Sequence, residues 1–231
     1  MHLEEATWTE VRDTNPDVAL LPVGSTEQHG PHAPLSTDAR IAEAVAREAN
    51  GTTDAETVCL PTLPVGVSEE HRSFEGTLYV SPSTFRSYVG ETLRSAPADR
   101  VVVVNGHGGN VDALHETCAH LTRDDDAPFA TYWTWWEAID KEAADVEMGH
   151  AGAVETSVLL HLDPELVGEP LEGAESWGEY IEGAPLAYDT DEFAENGVVG
   201  DATRADAETG KKLYDEAVGS LVRLVEAIAD L

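Results

Sequence analysis

The sequence predicts an α/β domain built on a mostly parallel central sheet. Three features carry that expectation: short apolar runs that read as buried strands, helical periodicities that alternate with them, and loops crowded with polar residues after the two best strands. The 231 residues, 42% of them apolar, suffice for one sizeable core and are short for two, so a single domain over residues 1–231 is expected. Folding at this length buries roughly 70% of the extended chain's surface, so the core needs no disulfide or structural metal to hold it.

Val18–Val23 (VALLPV) is the first strand candidate and ends at Gly24. Asp38 opens a helix in which Ile41, Val45 and Ala46 recur at helical spacing, with Gly51 as its stop. Thr57–Leu60 begins a second strand, and Ser83 is placed to cap a helix running through Leu93. Val101–Val104 is the clearest strand, β-branched and apolar on both faces as a central parallel strand requires. Val111–Leu121 reads as helix, Ala130–Trp135 as strand and Val154–Leu162 as helix. Residues 163–201 are irregular and rich in Gly, Pro and Glu; such an excursion covers a site, meets a neighbouring subunit or simply lies on the surface. Leu213, Ala217, Leu221, Leu224 and Ile228 then mark one face of a long closing helix.

Charge narrows the function. With 45 Asp+Glu against 13 Lys+Arg the net is −32, which excludes a general phosphate-backbone binder and argues against anionic membranes. The apolar content and five Trp do not fit disorder. Acid spread evenly, with lysine reduced to Lys141, Lys211 and Lys212, suits a protein soluble in multimolar salt, where screening over roughly 3 Å removes self-repulsion. Cys59 and Cys118 form no C-x-x-C pair and no secreted framework. The N-terminal segment has no basic-then-apolar leader, and no run approaches a membrane span, so a cytoplasmic location is expected.

VALLPV runs into GSTEQHGPHAPLSTD and VVVV into NGHGGN, and in an open parallel sheet both loops lie at the carboxyl edge where ligands bind. Glu27 and His29, two apart, point to one side of an extended backbone; Asp38 follows at a helix start, and His107 sits among glycines. These are ligands for Zn²⁺, Mn²⁺ or Fe²⁺, and without a thiolate they suit an open site rather than a structural zinc. Taken singly, Asp38 reads equally well as a helix N-cap and His107 as a turn residue; it is their convergence that favours a metal. A third cluster, MGHAGAVETS, brings His150 and Glu155 to a Gly-rich turn, where His150 is either part of a helix cap or a proton-transfer residue. His115, Glu116 and His120 do not make HExxH, because a five-residue step turns the second His roughly 140° round the helix. No dinucleotide fingerprint, Walker loop or G-x-S-x-G elbow is complete.

LLPVGSTEQHGPHAPLSTD, LPVGVSEEHRSFEGTL, VVVVNGHGGN and GHAGAVETS, in that order, resemble the creatininase family of metal-dependent amidohydrolases. The resemblance implies an α/β/α sandwich and two divalent metal ions per chain, Zn, Mn or Fe, in a homo-oligomer, commonly a hexamer. It implies that Glu27 and His107 ligate one metal and His29 the other, that Asp38 bridges them, that His150 is catalytic, and that Ser68 lies near a substrate-binding position. Creatininase proper has NGHYEN where this chain has Gly108 and Gly109, so a pocket Tyr and a metal-ligating Glu are missing. Glu155 is the candidate replacement ligand. The implied activity is hydrolysis of a non-peptide or cyclic amide C–N bond in a small molecule, by a metal-activated water with His150 as proton donor. Alternatives are a deformylase acting on a formamidopyrimidine nucleotide, whose phosphate would need Arg40 or Arg72, a peptidase trimming a cofactor-precursor peptide, and a non-catalytic small-molecule binder.

Overall fold

The structure, a computed structural model, describes residues 1–141 and 146–231. Four strands form one parallel sheet in the order β2-β1-β3-β4, where β1 is Val18–Val23, β2 Thr57–Cys59, β3 Arg100–Asn105 and β4 Phe129–Thr134. Registers run Leu20↔Cys59, Leu20↔Val102 and Val102↔Thr131, so β1 and β3 are flanked on both sides. Their side chains alternate between two cores, as the two-residue period of a strand requires. Val18, Leu20, Val102 and Val104 pack under α2 (Thr37–Thr52), α5 (Ala153–Leu162) and α6 (Ala207–Ala229). Ala19, Leu21, Val101 and Val103 pack under α3 (Pro82–Arg94) and α4 (Val111–Thr122). The result is the expected three-layer α/β/α sandwich.

Most boundaries shift by one or two residues from the expected ones. The α3 cap is Ser81, not Ser83: its hydroxyl accepts from the Thr84 N–H, and Pro82 takes the first helical position, where its missing N–H costs nothing. Trp135 leaves the last strand for a buried 3₁₀ turn. A helix the periodicity did not announce, α1 (Trp8–Thr14), is held by a capping box between Thr7 and Glu10. In α6, Leu221 is fully buried against the α2/α5 face. Leu221→Ala is expected to cost about 2–5 kcal/mol in chemical denaturation, the range for emptying a well-packed leucine site.

The segment 163–201 covers the carboxyl edge of the sheet instead of lying loose on the surface. Val199 and His150 exchange two backbone hydrogen bonds of 2.9 Å, and Thr190 reaches the His71 ring. Both cysteines are free and buried, and burial pushes each thiol up to about 12. Among the described residues no helix is long and apolar enough to cross a membrane.

Candidate active site

The candidate residues meet at the carboxyl edge of the sheet. The loop after β1 carries Glu27, Gln28 and His29, the loop after β3 carries His107, α2 begins with Asp38 in its first turn, and the turn before α5 supplies His150 and Glu155. A Cβ at Gly106 would lie 2.3 Å from the Asp38 carbonyl oxygen, so glycine there lets the β3 loop close on the start of α2. Ser36 holds the α2 N-cap position, and the Asp38 carboxylate turns into the site without capping the helix. Ala151 adopts a left-handed φ of 52°, uncommon for a residue with a Cβ, and its N–H donates to Glu155 Oε2 at 2.7 Å. That kink sets His150 and Glu155 on the same side.

Three histidines each have one ring nitrogen against a backbone carbonyl: His29 Nδ1 on Glu27 at 3.2 Å, His107 Nε2 on Val67 at 2.7 Å, His150 Nε2 on Gln28 at 2.8 Å. A carbonyl only accepts, so these nitrogens carry the protons and the opposite nitrogens face inward. Facing them are carboxylates. His107 Nδ1 lies 3.2 Å from Glu27 Oε2 and 3.1 Å from Asp38 Oδ2; His29 Nε2 lies 3.0 Å from Asp38 Oδ1 and 4.0 Å from Glu155 Oε2. Asp38 thus offers one oxygen to each histidine. Both Glu27 oxygens, Asp38 Oδ2 and His29 Nε2 are buried without an aligned hydrogen bond, which native interiors rarely tolerate unless an ion or water completes the set.

Ligand atoms of Glu27, Asp38 and His107 lie within 4.8 Å of one another, as do those of His29, His150 and Glu155. Both groups have the donor chemistry of a Zn²⁺ or Mn²⁺ site. Electrostatics agree. Burial opposes a charged His29, yet Asp38, Glu155 and Glu27 outweigh it and push its pKa up to about 10. His107 is likewise raised against burial, chiefly by Glu27 and Asp38, while Asp38, despite burial, is held below its usual range by His29 and His107. Burial lifts Glu155 up to about 7. Burial drives His71 down to about 4 and His150 well below its ordinary value. A basin with this much buried negative charge takes up protons or cations, and the two compete for the same atoms.

Above the basin is a cavity of about 230 Å³, with Asp38, His107, His150 and Glu155 in its wall and Trp136 and Trp177 beside them. A larger groove of about 730 Å³ on the 174–193 stretch is lined by Glu175, Glu179 and Glu192 and contains no histidine; chemistry, not size, locates the site. Sequence reasoning missed His71, Gln28, Glu70 and the two tryptophans. His71 lies 3.4 Å from Glu27 Oε1 and stacks on His150 at 4.3 Å between ring centroids. Gln28 Nε2 spans the Gly197 carbonyl and His71 Nδ1. The polar run SEEHR after β2 was the available signal, since that strand also ends at the carboxyl edge.

The structure places Ser68, Arg40 and Arg72 outside the cavity lining. Ser68 does not line the cavity: it is fully buried and accepts from the Ser25 hydroxyl at 2.8 Å, while Glu70 and His71 of the same segment do line it. Arg40 pairs with Asp163 and Arg72 with Asp189 and Glu69, all away from the cavity, whose described lining includes no Lys or Arg. His115, Glu116 and His120 are exposed, with Glu116 paired to Arg86, as a helix-surface reading expects.

Residues 4–225 match the creatininase family model, described as creatinine amidohydrolase. A mycofactocin precursor peptide peptidase of Mycobacterium ulcerans is 39% identical over 95% of this chain and 88% of its own length. The creatinine amidohydrolase of Pseudomonas putida is 30% identical over 71% of this chain and 72% of its own. A deformylase of Methanobrevibacter smithii acting on 2-amino-5-formylamino-6-ribosylaminopyrimidin-4(3H)-one 5'-monophosphate is 27% identical over 92% of each. Among solved structures, a putative creatinine amidohydrolase from Bacteroides fragilis superposes with a TM-score of 0.85 at 24% identity, covering 100% of this chain and 97% of that one. Creatininases of the same fold are known in a Mn and a Zn–Zn form. The chain belongs to the creatininase family of metal-dependent amidohydrolases.

Proposed function

We propose that this chain hydrolyses an amide bond in a small peptide at a two-cation centre. The observation that carries the reading is the set of three carbonyl-anchored histidines whose inward nitrogens face three buried carboxylates. Glu27, Asp38 and His107 would hold one cation; His29, Asp38 and Glu155 the other, with Asp38 shared. When bound, such cations supply Lewis acidity to the carbonyl and lower the pKa of a water towards neutrality.

The chain's own residues do the rest. Nε2 of His150 is anchored on the Gln28 carbonyl, so Nδ1, 3.8 Å from Glu27 Oε1, is the atom that takes up a proton and passes it to the departing nitrogen. The Gln28 carbonyl and the stacked His71 fix that ring's orientation. Trp136 and Trp177 line the cavity and give its wall an apolar stretch. Glu155→Gln is expected to reduce metal content from two ions to one per chain by elemental analysis, with Glu27, Asp38 and His107 retaining theirs; two ions retained would remove Glu155 from the ligand set.

A peptide is favoured over the other amides for two reasons. A nucleotide phosphate calls for a cation, and the described cavity wall has none. Creatinine turnover in the resembling enzyme uses a Tyr and a Glu where Gly108 and Gly109 stand here, whereas the 39%-identical relative is a peptidase. The test is hydrolysis of short peptides, creatinine and the formamidopyrimidine nucleotide by Mn²⁺- or Zn²⁺-loaded protein. Chelator-sensitive peptide cleavage is the expected result; turnover of creatinine or the nucleotide alone overturns the peptide reading. Exposed Trp177, Tyr180, Ile181, Leu186 and Tyr188 on the covering segment support a homo-oligomer.

A further inference from the structure

We propose that Glu70 sets the cavity's specificity by receiving a protonated amine of the substrate. Three carboxylates line the cavity: Asp38, Glu155 and Glu70. The first two converge on His29, and neither metal-type cluster that contains them includes Glu70. Glu70 is not an orienting partner for His107 either. Its Oε1 stands 4.0 Å from His107 Nε2, whose proton already goes to the Val67 carbonyl at 2.7 Å. Among the described residues it forms no ion pair with Lys or Arg. Once Asp38 and Glu155 are engaged by cations, Glu70 is the cavity's remaining anion.

The packing around Gly109 leaves this carboxylate its place in the wall. A Cβ at Gly109 would sit 2.1 Å from the Val67 carbonyl oxygen and 2.6 Å from His107 Nε2, so position 109 stays bare. Glu70 Oε1, 3.0 Å from that Cβ position, lies over the bare glycine and takes up that stretch of wall. Trp136 and Trp177 line the same cavity, and indole faces attract cations. A half-buried carboxylate in a cavity that two indoles also line, with no basic residue in the described wall, selects an ammonium group and repels carboxylate and phosphate. The substrate class is thus an amide that carries a free amine, such as a peptide with an unblocked amino group near the bond cleaved.

The inference rests on the proposed use of this cavity for amide hydrolysis, and its test is chosen to be independent of turnover. Binding of 2-phenylethylamine, protonated at pH 7, and of its neutral counterpart 2-phenylethanol is measured by calorimetry on the Mn²⁺-loaded full chain; neither ligand contains an amide. The wild type is expected to prefer the ammonium by about 10- to 100-fold, the range of a charge-assisted hydrogen bond. Glu70→Gln brings the two ligands to near parity with metal content unchanged. No ammonium preference in the wild type, no measurable ammonium binding, or a preference that survives in Glu70→Gln overturns the proposal. If Glu70→Gln does not fold, Glu70→Ser is read the same way. Absent peptide hydrolysis with the preference intact would remove the hydrolytic reading and leave the recognition; the converse removes only the role of Glu70.

Discussion

Asp38→Ala is expected to abolish amide hydrolysis and to lower the content of both proposed metals together. The expectation follows from one carboxylate serving two sites: Oδ1 lies 3.0 Å from His29 Nε2 and Oδ2 3.1 Å from His107 Nδ1. No neighbouring residue can replace it, because Asp38 is buried and held by the first turn of α2 against Gly106. The loss of rate is expected to exceed the roughly 10²–10³-fold typical of removing one transition-state hydrogen-bond donor, since on the proposed centre both activating cations would leave with it. Elemental analysis of the variant beside its peptide-hydrolysis rate checks both halves. One metal retained at full occupancy would show that Asp38 is not shared.

His150→Gln is the second large effect: kcat is expected to fall by about 10²–10⁴, the usual contribution of a positioned general acid–base. Metal content should stay at the wild-type level. The distinction matters because His150 also lies within ligand distance of His29 and Glu155. If the ring carries a proton, glutamine preserves the fold and the metals and removes only the transfer. If the ring is a ligand, the second cation leaves with it. The lost hydrogen bond to Gln28 is replaceable by the glutamine amide, which keeps the comparison a test of chemistry.

The sheet was legible because a valine run flanked by helical periods has few alternatives. Val101–Val104 is apolar on both faces, and only a strand sandwiched between helix layers needs that. The convergence of Glu27, His29, Asp38 and His107 was legible for a related reason: strand order puts the ends of β1 and β3 side by side, and polar loops there must face each other. His150 and Glu155 were readable as a cluster, and their place in the same basin came through the family resemblance and not from any local pattern. Their approach depends on the left-handed Ala151 and on the bridge to Val199, neither of which has a local pattern. The 3₁₀ segment with His71 and Glu70 follows a three-residue strand, too short for periodicity to mark. Trp177 escaped for a simpler reason, since nothing in an irregular stretch says which face folds back over the site. Ser68 shows the reverse case, a motif position carried over whose side chain the packing turns towards Ser25.

The central claim is that the buried histidines and carboxylates form a two-cation centre joined by Asp38. Anomalous scattering from crystals grown with Mn²⁺ tests it directly. Two peaks are expected, each about 2.0–2.2 Å from its ligands: one at Glu27, Asp38 and His107, the other at His29, Asp38 and Glu155. A single peak, peaks that do not share Asp38, or none at this site would contradict the account.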